Sequence, residues 1–337
     1  MNWRFLLSFC LAAFLGLQFA GYARASSSDS RDLWHLLWES HQQAKDLSYE
    51  GTLVTVQGNI SQSNRLKHIS SPEGEFELLE RLEGEPVTWL RHNERIQCVL
   101  PERKLVISES RKTSLVFPRM MGNTETLGNL SQLYRISEMP SERVAGRSVR
   151  VLQLEPLDER RYEYRLYVDR QKRLLLKTQS YDSGENLLEQ VSFTEINFDL
   201  GDKQPTGLFE VGAGWRESVS KVEEVDENHV PFVLPDQHAG FQKMETLCRV
   251  KEERSEGHRE VHQSIFSDGL SSVSVFVQKA NPEARLPSVP MKHGAVTSLT
   301  QLQGDYMVTI LGEVPEVTVR EFLNLIQWQN NHEGKPK

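Results

Sequence analysis

His258 and His262 stand four residues apart with Glu260 between them, and imidazoles beside a carboxylate are the groups that hold transition metals. The HExxH arrangement needs a helix to bring both histidines to one face. Here the segment follows an acidic loop and reads as a strand, so solvated strand residues are the expectation. Gly212-Ala213-Gly214 lacks the third glycine and the strand-to-helix context of a dinucleotide site. The chain has no nucleophile elbow, no phosphate-binding glycine loop and no CxxC pair. Its carboxylates are scattered over turns and strand exteriors. A glycosidase pair would meet only in three dimensions, and nothing in the sequence proposes one. No catalytic residue, cofactor or metal is therefore expected.

The elements that surround these residues begin with an export pattern. Arg4 precedes an apolar run from Phe5 to Ala20, broken only by Ser8, Gly16 and Gln18, and Ala23-Arg24-Ala25 follows as a small-x-small cleavage pattern. Residues 1–25 are expected to be a signal peptide, too short for a bilayer span. Cys10 follows Phe9 inside the run, which is wrong for lipid attachment. The mature chain from Ser26 is expected to be soluble and periplasmic. Removing Arg4 and Arg24 takes the formal charge from -8 to -8 - 2 = -10, and so acidic a chain is a poor partner for nucleic acid. Cys98 and Cys248 remain. In an oxidising compartment they either form one bridge or stay as two isolated buried thiols.

Leu33 to Leu47 has helical period, with Leu33, Leu36, Leu37, Ala44 and Leu47 on one face, Trp34 and Trp38 beside it, and Ser28-Asp29-Ser30 ahead of it as an N-cap. Strand follows strand after it: Tyr49 to Val56, Phe76 to Glu83, Val87 to Arg91, Arg95 to Leu100, Leu105 to Ser108, Ser148 to Leu154, Tyr162 to Val168, Leu174 to Tyr181 and Leu187 to Phe198. Short turns join them, so the series predicts an antiparallel meander that curls toward a barrel or half-barrel. Residues 201–228 have little periodicity and read as a linker. Strands are expected again at Phe241 to Val250, Val261 to Ser267, Leu270 to Val277 and Tyr306 to Leu311, with Asp268-Gly269 as a tight turn. Thr318 to Glu321 fits a capping box for a last helix, whose stripe of Val319, Phe322, Leu323 and Ile326 should pack on Val273, Val275 and Val277. The fold class is thus α+β and mainly antiparallel β: a half-barrel domain at 26–200 and a smaller α+β domain at 229–330. Arg103, Lys104, Arg111, Lys112, Arg119, Arg143, Arg147 and Arg150 form either a patch for an anionic partner or isolated exposed cations.

Several stretches resemble the RseB/MucB family of periplasmic regulators of the envelope-stress sigma factor. They are Phe266 to Val277, Met307 to Pro315, Tyr49-Glu50-Gly51-Thr52, Arg143 to Arg147, Arg161-Tyr162-Glu163-Tyr164 and Leu187-Leu188-Glu189-Gln190, in order along nearly the whole mature chain. The resemblance implies an unclosed barrel plugged by helices, like that of periplasmic lipoprotein carriers, followed by a smaller domain. It also implies binding to the periplasmic part of a membrane-spanning anti-sigma factor of the RseA or MucA kind. That partner would be shielded from its first protease until a lipid or lipopolysaccharide ligand displaces it. A lipid or lipoprotein carrier is the alternative. An apolar cavity is expected between the first helix and the concave sheet face, near Leu33, Trp34, Leu37, Phe76, Leu78, Trp89, Leu166 and Val168. Partner contacts are expected around Phe266, Asp268, Gly269 and Leu270.

Overall fold

The computed structural model describes residues 27–110, 117, 128–201, 208–219, 221–224, 230–253, 257–280 and 289–329. The expected signal peptide, Arg111, Lys112, Arg119 and much of the expected linker lie outside them. Helix α1 (Ser27–Asp46) opens the described chain. It starts ahead of the expected N-cap, so Ser28 to Ser30 are its first turn. Leu33, Leu36, Leu37 and Ala44 are buried, the i, i+3, i+4 stripe of an amphipathic helix. Its last carbonyls find donors on the sheet: the Tyr49 hydroxyl donates to Ala44 O at 3.4 Å and His68 Nδ1 to Leu47 O at 2.7 Å. These are the groups a helix C-terminus cannot satisfy internally.

Strands β1 (Tyr49–Gln57), β2 (Ile60–Ser71), β3 (Gly74–Arg81), β4 (Thr88–His92), β5 (Arg95–Leu100) and β6 (Leu105–Ser110) form a meander. A short helix α2 (Leu130–Leu133) leads into β7 (Tyr134–Val144), β8 (Arg147–Pro156), β9 (Glu163–Asp169), β10 (Leu175–Tyr181) and β11 (Leu187–Asn197). With β12 (Arg216–Val219) they make one twelve-stranded sheet in the order β12-β6-β5-β4-β3-β2-β1-β11-β10-β9-β8-β7. The order does not close, since β12 and β7 are edges. Yet β7 returns to within 8 Å of β11 between Cα atoms, although three strands separate them in the ladder. The sheet is therefore an unclosed, curled barrel. All of its pairs are antiparallel except β12 with β6.

The second sheet holds β13 (Lys221–Glu224), β15 (Gln237–His238), β16 (Phe241–Glu253), β17 (Gly257–Ser267), β18 (Ser272–Lys279), β19 (Met291–His293), β20 (Val296–Gln303) and β21 (Tyr306–Gly312). Two short strands, β14 (Phe232–Val233) and β22 (Gln327–Trp328), pair separately. Helix α3 (Glu316–Asn324) lies on this sheet, where Val319, Phe322, Leu323 and Ile326 share a core with Val273, Val275 and Val277 as expected. The expected capping box is absent, because Pro315 is the N-cap and Thr318 sits inside the helix. Its hydroxyl donates instead to Arg160 O in the first domain, at 2.8 Å.

The described part of the expected linker is not free chain. Gln97 on β5 donates to Phe209 O at 3.3 Å and accepts from Phe209 N at 2.8 Å, and Leu208, Phe209 and Trp215 pack on Leu78, Leu90, Val99 and Val106.

Candidate functional site

Among the described residues, the seat of α1 on the first sheet and the joint between the domains stand out as features that can bear function. Leu33, Leu36 and Leu37 share one buried cluster with Leu152, Leu154, Leu166, Val168 and Leu175 of β8 to β10, and Trp34 and Trp38 pack against its edge half-buried. Five of the eight expected cavity residues, Leu33, Trp34, Leu37, Leu166 and Val168, thus meet under the helix.

The other three do not join them. Neighbours across the ladder share a face, so the face of Leu166 can be followed strand by strand. It runs Leu166–Thr178, Thr178–Val191, Val191–Thr55, Thr55–Gln62, then Asn64–Arg81 and Leu79–Trp89. Phe76 and Leu78 have the opposite parity on β3. They lie on the face turned away from α1, Leu78 beneath Phe209 and Trp215, and Phe76 stacked on His92 at 4.0 Å between centroids. A strand slipped by one residue in the alternation reverses every side chain, and that is why these two candidates were misplaced. Trp89 shares the face of α1 but lies far across the sheet, under the Arg81 guanidinium at 5.7 Å.

The joint is built on Asp268. Gly269, at φ +105°, allows the chain to reverse there, and Asp268 Oδ1 accepts from the backbone N–H groups of Leu270 at 2.9 Å and Ser271 at 2.8 Å. Its other oxygen accepts from Arg161 Nε at 2.8 Å and from the Tyr134 hydroxyl at 3.1 Å. Arg161 and Asp268 are both fully buried, with 0 % of either side chain exposed. Arg161 also donates to Ala239 O and lies over the Phe241 ring at 4.6 Å. Around this centre, the Tyr162 hydroxyl donates to Val314 O at 3.1 Å, and Glu321 of α3 accepts from Arg160 and His238, each at 2.9 Å. A second clasp, Arg249 to Glu109 at 2.8 Å, ties β16 to β6. Burial first, and then the negative charge of Asp268, push the Tyr134 hydroxyl well above its ordinary pKa, so it stays a donor.

The expected partner contacts lie at this joint. Phe266 and Asp268 are wholly buried, Phe266 in the core of the second domain. Leu270 packs against the cluster under α1. Gly269 is buried and Leu270 half-buried, so the segment serves as an inter-domain contact with only Leu270 partly open to solvent. Sequence reasoning took Asp268 for a turn residue, which it is, and missed Arg161, its partner 107 positions away. Among the described members of the expected basic patch, Arg103 pairs with Glu85, Arg147 with Asp169 and Arg150 with Glu138. Cys98 and Cys248 are not joined in a disulfide.

The arrangement has recognisable relatives. The MucB/RseB N-terminal domain model matches residues 32–213, and the MucB/RseB C-terminal domain model matches residues 226–327. The chain belongs to the MucB/RseB family. It is 22 % identical over 293 residues to the sigma-E factor regulatory protein RseB of Haemophilus influenzae, covering 86 % of this chain and 89 % of that protein. It is 26 % identical over 294 residues to the sigma factor AlgU regulatory protein MucB of Pseudomonas aeruginosa, covering 86 % and 88 %. Among solved structures, MucB in complex with MucA(peri) shares its fold, with a TM-score of 0.64 and 22 % identity over 88 % of this chain and 99 % of that one. These relatives are regulatory proteins and not enzymes.

Proposed function

We propose that this protein is a periplasmic regulator that holds the periplasmic segment of a membrane-spanning anti-sigma factor and shields it from regulated proteolysis. The observation that carries the reading is membership of the MucB/RseB family across both domains, together with the likeness to a MucB that was crystallised with MucA(peri). The export pattern at residues 1–25 supports the compartment. A lipid or lipopolysaccharide ligand releases the partner in this reading. The apolar seat of α1, with Trp34 and Trp38 at its rim, supports an acyl chain as the competitor for that seat.

The test uses the mature protein and the periplasmic segment of an anti-sigma factor of the RseA or MucA kind. The protein should slow cleavage of that segment by the site-one protease, and lipid A-like molecules should restore cleavage. Unchanged cleavage at saturating protein would refute the regulatory reading. Protection that no lipid relieves would refute the lipid step alone.

A further inference from the structure

Strands β16 and β17 pair antiparallel with Cys248 directly opposite His262. Glu260 lies two positions before His262 on β17, so alternation puts it on the same face. One ligand atom from each of Cys248, Glu260 and His262 lies within 4.8 Å of the other two, and His262 Nε2 is 3.9 Å from Glu260 Oε2. Cys248 and His262 are buried, at 8 % exposure each, whereas Glu260 is open to solvent at 62 %. The site therefore has a dry floor and a wet mouth. His262 Nδ1 is buried and has no hydrogen-bond partner, and a buried polar atom without a partner is destabilising. The edge of the Phe232 ring stands over the imidazole at 6.1 Å between centroids.

We propose that Cys248, His262 and Glu260 form a binding site for a thiophilic divalent cation, Zn2+, on this hairpin. A thiolate, an imidazole and a carboxylate are a donor set that zinc accepts, and three protein ligands leave a fourth position to water. Calcium and magnesium are disfavoured, since they take oxygen donors almost alone. At zinc bond lengths of about 2.0–2.3 Å, tetrahedral ligand atoms stand roughly 3.5 Å apart. Glu260, the exposed member, has the rotational freedom to approach the other two. Arg249, the neighbour of Cys248 in sequence, points to the other face and is engaged by Glu109, so no cation competes from that side chain. The sequence spacing sets His258 beside His262, whereas the register brings Cys248 to His262 from the adjacent strand.

The test is a titration of the reduced, metal-stripped mature protein with Co2+, a spectroscopic stand-in for zinc. One equivalent should bring up a thiolate-to-cobalt charge-transfer band, and Zn2+ should abolish it. The band should vanish in Cys248→Ser and persist in Cys98→Ser. Glu260→Gln, at an exposed position where folding is not at risk, should weaken Zn2+ binding at least about tenfold, since even outer-shell partners of metal ligands are worth about 10–100-fold. Absence of binding, cobalt binding without the charge-transfer band, or a band lost in Cys98→Ser and kept in Cys248→Ser would each overturn the site. If Cys248→Ser fails to fold, unchanged zinc affinity in Glu260→Gln is the overturning result.

Discussion

Asp268→Ala is the most informative perturbation of the joint. The carboxylate has four donors: Arg161, Tyr134 and two backbone N–H groups of its own turn. Removing it leaves the Arg161 guanidinium, itself wholly buried, with Asp158 and Ala239 O as its remaining partners. Breaking one half of a buried pair costs about 3–5 kcal/mol, because a charge is left without compensation. The two orphaned backbone donors would cost about 1–3 kcal/mol each if they stayed dry, but a methyl in place of a carboxylate admits water to them. The terms are not additive, and a total of about 4 kcal/mol is the working figure, a factor of nearly a thousand in the equilibrium.

The loss falls on the joint, so two measurements are needed. Urea unfolding followed by tryptophan fluorescence should shift its midpoint down by about 1–2 M, at slopes of about 2–3 kcal/mol/M. Small-angle scattering without denaturant should show the domains separating. The pair can be isolated with Arg161→Leu and the double variant, which should cost less than the sum of the singles by about 2 kcal/mol or more. A midpoint shift below about 0.3 M in urea with an unchanged radius of gyration would refute the assignment of Asp268 as the centre of the joint.

Other expectations follow from single sites. Phe322→Ala empties a fully buried position edge-on to Phe241 and Phe266 and should destabilise the second domain by about 3–5 kcal/mol in chemical unfolding. Leu37→Ala should cost about 2–5 kcal/mol and loosen α1, seen as faster amide exchange over Ser27–Asp46. At Gly51 an added Cβ would meet Glu195 O at 2.3 Å and the Phe193 ring at 2.9 Å, so Gly51→Ala should lower the melting temperature where an open position such as Gly212→Ala does not. Burial works to raise the pKa of Asp169, but bonds from Arg147 and from the N–H groups of Lys172 and Gln171 outweigh it and lower the net value. A carboxylate lowered on folding contributes stability that is present above its unfolded pKa and lost as pH falls through the folded one. Asp169→Asn should therefore be less stable than the parent at pH 7, and the gap should close below about pH 3.8 in acid titrations followed by circular dichroism.

The readable part of the fold was the part written in apolar alternation. The stripe of α1, the strands from Arg95 to Leu100 and Leu174 to Tyr181, and the pairing of Val319 and Phe322 with Val273 and Val275 all rest on period alone. The missed strands lacked that signal. On β2 the inward positions include Asn64 and His68, buried polar residues that look solvent-facing on paper, and His68 is inward because it caps the end of α1. Strand β7 carries Pro140 and a register shift between Met139 and Glu142, which an edge strand tolerates and a pattern search rejects. Strand β20 reads as a run of polar residues, yet Leu299 faces the core.

The features most relevant to function were hidden for a different reason: they are properties of register. Asp268 and Arg161 meet across domains, Cys248 and His262 across a ladder, and no local window contains either pair. The same holds for the link between the two functional features. Leu270, two residues from Asp268, packs against the cluster that also holds Leu33, Leu37 and Leu166, and Tyr134, which donates to Asp268, belongs to that cluster. The seat of α1 and the inter-domain joint therefore rest on one contiguous apolar body. Close-packed interiors transmit strain poorly by degrees and well by rearrangement. A ligand that displaced α1 would remove the packing behind Tyr134 and Leu270 at the same time. Leu270→Ala separates a shared support from mere proximity, because a shared one must both speed exchange in α1 and lower the cost of Asp268→Ala. If the effects of Leu270→Ala and Asp268→Ala simply add to within about 0.5 kcal/mol, the helix and the joint are energetically independent despite their contact.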